Sequence, residues 1–249
     1  GPPPLEETQA LIALYNSTNG SLWTNQAGWL VDPNACTWYG VTCHDGHVLQ
    51  LSLGSNQLSG SLPVELGNLT HLLYLEIYDN LLTGSIPTEV GDLSSLVRLA
   101  LAGNQLTGSI PSALGNLSNL GYLNLTGNQL TGSIPVELGN LSNLTRLYLH
   151  NNQLTGSIPV ELGDLSNLTH LWLLNNQLTG SIPAELGYLT NLQGLWLQNN
   201  LLVGDIPSTF TNLVNLVNPG EFYGLDGLNL DYNLLNVPED YPTAPLDVF

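Results

Sequence analysis

The chain has 249 residues, 43% of them hydrophobic, enough to bury a sizeable core and too many for a disordered polymer. Twenty Asp and Glu face two Lys and Arg, a net charge of −18. That balance argues against partners that are themselves anionic, a nucleic-acid backbone or an acidic membrane surface. No apolar run approaches the roughly 18 residues of a membrane span, so the chain itself is expected to carry none. Methionine is absent and the opening Gly1-Pro2 reads as a scar of tag removal, so the natural N-terminus is expected to lie elsewhere.

In chain order, Leu5 to Tyr15 predicts a short amphipathic helix. Leu11, Ile12, Leu14 and Tyr15 would face the segment that follows, with Gly20 beyond the helix end. Residues 16–47 would complete a cap in which Trp23, Trp29 and Trp38 cover apolar surface. His44-Asp45-Gly46-His47 reads as a polar lead-in to the first strand. No metal and no cofactor is expected.

From Asn56 on, the segment Asn-x-Leu-x-Gly-x-Ile/Leu-Pro recurs at Asn56–Pro63, Asn80–Pro87, Asn104–Pro111, Asn128–Pro135, Asn152–Pro159, Asn176–Pro183 and Asn200–Pro207. The step is 24 residues each time. An eighth, degenerate unit with Leu228, Leu230 and Asn233 arrives nine residues late, and Asn218-Pro219-Gly220 places the extra residues in a loop near Asn218 to Leu225. Within a unit, Leu-x-Leu alternation has the period of a strand, so Leu171 and Leu173 point inward and Trp172 outward. The following Asn turns the chain, and its amide can satisfy backbone groups of its own and neighbouring coils. Gly permits a tight path and Pro ends any ladder. One coil cannot bury its own leucines, so coils must stack and share a core.

These motifs resemble the plant-specific class of leucine-rich repeats. The stretch Cys36-Thr37-Trp38-Tyr39-Gly40-Val41-Thr42-Cys43 is similar to the Cys-x-Trp-x-Gly-Val-x-Cys cap of plant receptor ectodomains. The resemblance covers roughly residues 5–235. It implies an α/β leucine-rich-repeat solenoid, a right-handed curved superhelix of about eight 24-residue repeats with a parallel sheet on its concave face. The expected organisation is a cap at 1–47, repeats at 48–235, and a C-terminal cap or truncated tail at 236–249. The chain has no C-terminal cysteine pair and no kinase, and Leu14 to Trp23 is more like bacterial or algal members than plant receptor kinases. The family bridges the two cap cysteines, so Cys36 and Cys43 are expected to form a disulfide, which implies export to the cell surface or beyond. Sequons at Asn16, Asn19, Asn68, Asn116, Asn124, Asn140, Asn143 and Asn167 arise partly because the repeat itself writes Asn-Leu-Ser/Thr.

Catalytic signatures are absent: no nucleophile elbow, phosphate loop or dinucleotide fingerprint. Glu65, Glu89, Glu137, Glu161 and Glu185 recur at one repeat position and read as a solvated acidic column rather than a catalytic carboxylate pair. His150 and His170 sit four register positions apart on adjacent coils, ~13 Å by strand rise, too far to share an ion. The expectation is a protein that is not an enzyme.

The outward face of the sheet is where repeat proteins bind. Four positions before each Asn, the sequence reads Ser52, Glu76, Ala100, Asn124, Tyr148, Trp172, Trp196; six before, it reads Gln50, Tyr74, Arg98, Tyr122, Arg146, His170, Gly194. The column two before includes His150, Leu174 and Gln198. Arg98, Tyr122, Arg146, Tyr148, His150, His170, Trp172, Leu174, Trp196 and Gln198 are therefore the candidate ligand-binding residues, an aromatic patch beside the only two arginines. The expected partner is a peptide, protein or glycan. Both arginines have an alternative reading, coincidence plus local pairing with Glu76 or another acid. The competing reading is that the stacked aromatics merely cover and stiffen the sheet. Two other functions compete. Thr-Gly-Ser recurs from Thr83 to Ser181 and could form hydroxyl ladders that bind ice or another ordered surface, or the scaffold could be a passive adhesion spacer.

Overall fold

The computed structural model describes residues 1–216 and 227–236. The loop expected at Asn218 to Leu225 and the tail from 237 onward lie outside the described residues. One helix, α1 (Leu5–Ser17), opens the chain. It is followed by β1 (Val41–His44), β2 (His47–Ser52), β3 (Ser59–Ser61), β4 (Tyr74–Glu76), β5 (Leu81–Thr83), β6 (Arg98–Ala100) and β7 (Tyr122–Asn124). Then come β8 (Arg146–Tyr148), β9 (His170–Trp172), β10 (Gly194–Trp196), β11 (Val203–Asp205), β12 (Leu228–Asn229) and β13 (Leu234–Asn236).

Nine strands form one sheet in the order β1-β2-β4-β6-β7-β8-β9-β10-β12. The β1–β2 hairpin is antiparallel, and every later pairing is parallel. Leu51, Leu75, Leu99, Leu123, Leu147, Leu171 and Leu195 stand in register across it, all fully buried. The sequence period thus becomes the strand register directly. Opposite the sheet, each Pro takes an extended conformation and a short 3-10 helix follows, as at Ser112–Asn116, Val136–Asn140 and Val160–Asp164. Within these helices the coils come very close. A Cβ on Gly139 would lie 2.5 Å from the Glu161 carbonyl oxygen, so the consensus glycine is a contact requirement between coils.

The repeating asparagines knit successive coils. Asn128 Oδ1 accepts from the Leu106 N–H, and its Nδ2 donates to the carbonyls of Leu101, Leu125 and Thr126. Asn104, Asn176 and Asn200 repeat this pattern. Each joins its own coil to the preceding one from inside the core, where an unmade backbone bond is costly.

The cap forms as expected, with two adjustments. α1 runs two residues further than predicted, to Ser17, and buries Ala10, Leu11 and Leu14, with Ile12 and Tyr15 partly covered. The left-handed residue after it is Asn19 (φ 55°), not Gly20. Gly20 has no side chain because the Tyr15 ring occupies the space where a Cβ would go. Trp23, Trp29 and Trp38 are buried and ring-packed with one another. Cys36 and Cys43 are joined by a disulfide.

The hydroxyl ladders differ from expectation. Along the Thr-Gly-Ser edge the pairing offset is 22 residues, so Thr107 bridges to Ser85 and Thr131 to Ser109. Threonine therefore sits beside serine of the preceding coil, not beside threonine, because this edge of the coil is staggered against the main sheet.

Candidate functional site

The predicted columns are real rows on the outer face of the sheet. Tyr122, Arg146 and His170 are register partners, as are Asn124, Tyr148 and Trp172, and then Trp172 with Trp196. Alternation along short strands puts the leucines in the core and these side chains on the outside.

The aromatic side chains do not stand separately in solvent. Tyr148 and Trp172 stack at 4.2 Å between centroids, and Trp172 and Trp196 at 4.2 Å with their planes 5° apart. Tyr122 meets Tyr148 edge-on at 5.6 Å. His150 and His170 flank the stack, at 5.6 and 6.0 Å from Trp172. The rings are therefore half-buried by one another, and the outward-facing aromatics form one continuous slab. Gly194 belongs to this geometry, since a Cβ there would lie 3.3 Å from Trp172 Nε1 and from the His170 ring. Leu174 is half-buried beside the slab.

Burial has an electrostatic consequence. Desolvation lowers the pKa of His150 from the usual 6.5 to about 4. His170 is lowered too, first by burial and then by the Arg146 charge. Tyr148 is raised, mainly by burial. All three rings are uncharged at neutral pH, so the slab is apolar and neutral.

The two arginines part company. Arg98 Nε lies 2.7 Å from Glu76 Oε1, and its guanidinium carbon sits 3.9 Å from the Tyr122 ring centroid. Its charge is spoken for locally. Arg146 is exposed and makes no ion pair among the described residues. A groove of about 510 Å³ runs past it, lined by Tyr74, Arg98, Tyr122, Arg146, His170 and Gln193 among others. A second, more polar groove of about 620 Å³ adjoins it through Thr145, Thr169 and Gln193, with Asn143, Asn167 and Asn191 along its wall. Those amides donate to carbonyls of the preceding coil and are held in place.

Gln198 departs from its predicted role. It is only 6% exposed, although its position in the repeat is nominally outward. Thr145, Thr169 and Gln193 line both grooves and were not singled out from sequence. The only signal for them is that they share one repeat position, immediately before the strand.

A solenoid of leucine-bearing coils, capped by a disulfide-closed N-terminal module, defines a leucine-rich-repeat type of protein. The chain belongs to the leucine-rich-repeat family. A leucine-rich repeat region matches residues 42–177, a leucine-rich repeat N-terminal domain matches 4–44, and single leucine-rich repeats match 167–189 and 191–213. It is 46% identical over 69 residues to leucine-rich repeat protein 1 of Arabidopsis thaliana, an overlap of 26% of this chain and 30% of that protein. Among solved structures it is similar to the Arabidopsis receptor kinase HAESA in complex with the peptide hormone IDA and the co-receptor SERK1. There the TM-score is 0.81 at 34% identity, covering 93% of this chain and 38% of that one. It is also similar to a plant ice-binding protein, with a TM-score of 0.76 at 25% identity, covering 94% and 81% of the two chains. The chain thus spans well under half the length of the receptor and of the curated relative it matches. No described helix is long and apolar enough to cross a membrane.

Proposed function

We propose that this protein is an exported, non-enzymatic recognition module that binds a peptide or an acidic glycan on its sheet face. The observation that carries the reading is Arg146. In a chain of net charge −18 it is an exposed guanidinium with no ion pair among the described residues, and it borders a neutral aromatic slab. A ligand carboxylate would take the planar fork of Arg146 in a bidentate contact. The ligand's apolar or ring face would lie over Tyr148 and Trp172. The long-range field repels polyanions, which favours a ligand that presents one carboxylate on an otherwise neutral or cationic body. The relation to a receptor solved with a peptide hormone supports a peptide as the first ligand class to test.

The test is an array of peptides and acidic oligosaccharides, each carboxylate-bearing member printed beside its amide. The best binders are expected to lose on the order of tenfold or more on amidation, and the same amount in Arg146→Ala. Arg146→Lys should recover only part, since an ammonium lacks the fork. Amidation without effect in the unmodified protein would overturn the carboxylate assignment. An array with no binder at all would favour a passive spacer.

A second reading rests on a separate surface. Thr107, Thr131, Thr155 and Thr179 are all exposed and bridged to Ser85, Ser109, Ser133 and Ser157, a regular hydroxyl array remote from any charge of the slab. Ice binding through that edge is checked by thermal hysteresis. We rank it second, because the staggered register alternates threonine with serine along each row.

A further inference from the structure

Glu7, in the first turns of α1, is buried, with its side chain 5% exposed. Its Oε2 accepts the Val48 N–H at 2.7 Å. Its Oε1 lies 2.7 Å from His47 Nδ1 and 3.5 Å from His71 Nδ1. The two imidazoles stack, with centroids 3.7 Å apart. No Lys or Arg precedes Arg98 in the chain, so no cation of fixed charge belongs to this end of the sequence. A buried carboxylate without a compensating charge is costly.

The two histidines are a departure from the repeat. They stand 24 residues apart, at the position that the next coil fills with Ser95 and the coils after it with Asn119, Asn143, Asn167, Asn191 and Asn215. There each asparagine amide donates to a carbonyl of the coil before it. Only the coils beneath Glu7 carry imidazoles instead. Two imidazoles thus stand on adjacent rungs against one carboxylate, where most later coils carry a structural amide.

We propose that Glu7, His47 and His71 form a site for a single borderline first-row divalent cation of the zinc type, which clasps α1 to the first two coils. One nitrogen from each ring and one carboxylate oxygen lie within 4.8 Å of one another. Ligands at ~2.0–2.1 Å on a tetrahedral ion are separated by about 3.3 Å, so the existing 2.7 and 3.5 Å spacings need only small shifts. Two imidazoles and one carboxylate suit zinc and its neighbours and are a poor set for calcium or magnesium, which want oxygen. The Val48 N–H orients the carboxylate from the second shell. Solvent fills the remaining position, since the histidine side chains are 34% and 51% exposed. On binding, each ring gives its Nδ1 lone pair to the ion, and the proton that His47 Nδ1 donates to Glu7 Oε1 in the free protein moves to its Nε2 through solvent.

Zinc is titrated into the intact protein near neutral pH with excess magnesium present to occupy the diffuse acidic surface. The expected result is one zinc per chain, a rise in melting temperature, and ring-proton NMR shifts at His47 and His71 but not at His150 or His170. His71→Asn installs the side chain that later coils carry at this position, so it keeps the fold. It is expected to lower zinc affinity by at least tenfold, with little change in melting temperature without zinc. Absence of stoichiometric uptake by the unmodified protein would overturn the proposal. So would uptake unchanged in His71→Asn, which would place the ion elsewhere.

Discussion

Trp172 and Trp196, 24 residues apart in the chain, lie face to face with ring centroids 4.2 Å apart and planes 5° from parallel. Trp172 is the middle ring of the slab, with Tyr148 stacked on its other face at 4.2 Å. Aromatic pairs contribute about 0.5–1.5 kcal/mol beyond area burial. Trp172→Ala is therefore expected to lower stability by about 2–3 kcal/mol and Trp172→Phe by less. In binding, Trp172→Ala should weaken a ligand of the sheet face by ~2 kcal/mol or more. Urea unfolding and calorimetric binding on the same two variants separate the effects. Equal binding by Trp172→Ala and the unmodified protein would leave the slab a purely structural element.

Asn128→Ala should be among the most damaging single changes. It removes four hydrogen bonds at once and strands the Leu106 N–H inside the core, while the Leu101 and Leu125 carbonyls keep only the amides of Asn104 and Asn152. The stranded N–H costs about 1–3 kcal/mol and the bonds lost to shared carbonyls add less, so a loss of roughly 3 kcal/mol is expected. Denaturant unfolding gives the value. Asn143→Ala, at an exposed amide on the groove wall, is the control and should cost less than about 1 kcal/mol.

Gly139→Ala tests the close contact between coils. A methyl group there would sit 2.5 Å from the Glu161 carbonyl oxygen, and backbone cannot swing away as a side chain does. The coils must separate locally, at an expected cost of about 2–4 kcal/mol. Gly121→Ala is the contrast, since its nearest neighbour would be 3.7 Å away. Comparison of their melting temperatures decides the point.

Stability should fall in mild acid through His150. Its folded pKa is about 4 against 6.5 in the free side chain, because burial disfavours the charged ring. Between those values the unfolded chain binds the proton and the folded one does not, so stability is full above about pH 6.5 and declines towards pH 4. After discounting for partial solvent exposure the decline is on the order of 1–2 kcal/mol. His150→Asn should flatten that part of the pH profile. An unchanged profile in the variant would assign the acid sensitivity to other groups.

Much of this protein is readable from its sequence because the repeat writes the same neighbour relations seven times. A step of 24 residues specifies which leucine meets which, and the alternation around Leu171 specifies that Trp172 faces out. The Cys36–Cys43 pair, the tryptophan cover of the cap and the asparagine ladder follow from the same motifs. Tertiary structure decided what depends on how side chains lean and how dissimilar parts meet. Arg98 is paired with Glu76 and stacked on Tyr122 while Arg146 makes no ion pair among the described residues, though both occupy one column. Gln198 is buried despite its outward position. The hydroxyl edge is staggered by two residues because the coil is not a flat ring. Glu7 meets His47 and His71 only because α1 docks across the first coils, a contact between a non-repeating cap and the array that no period encodes. Periodicity fixes contacts between like units; contacts between unlike ones are set by the packing of the folded chain.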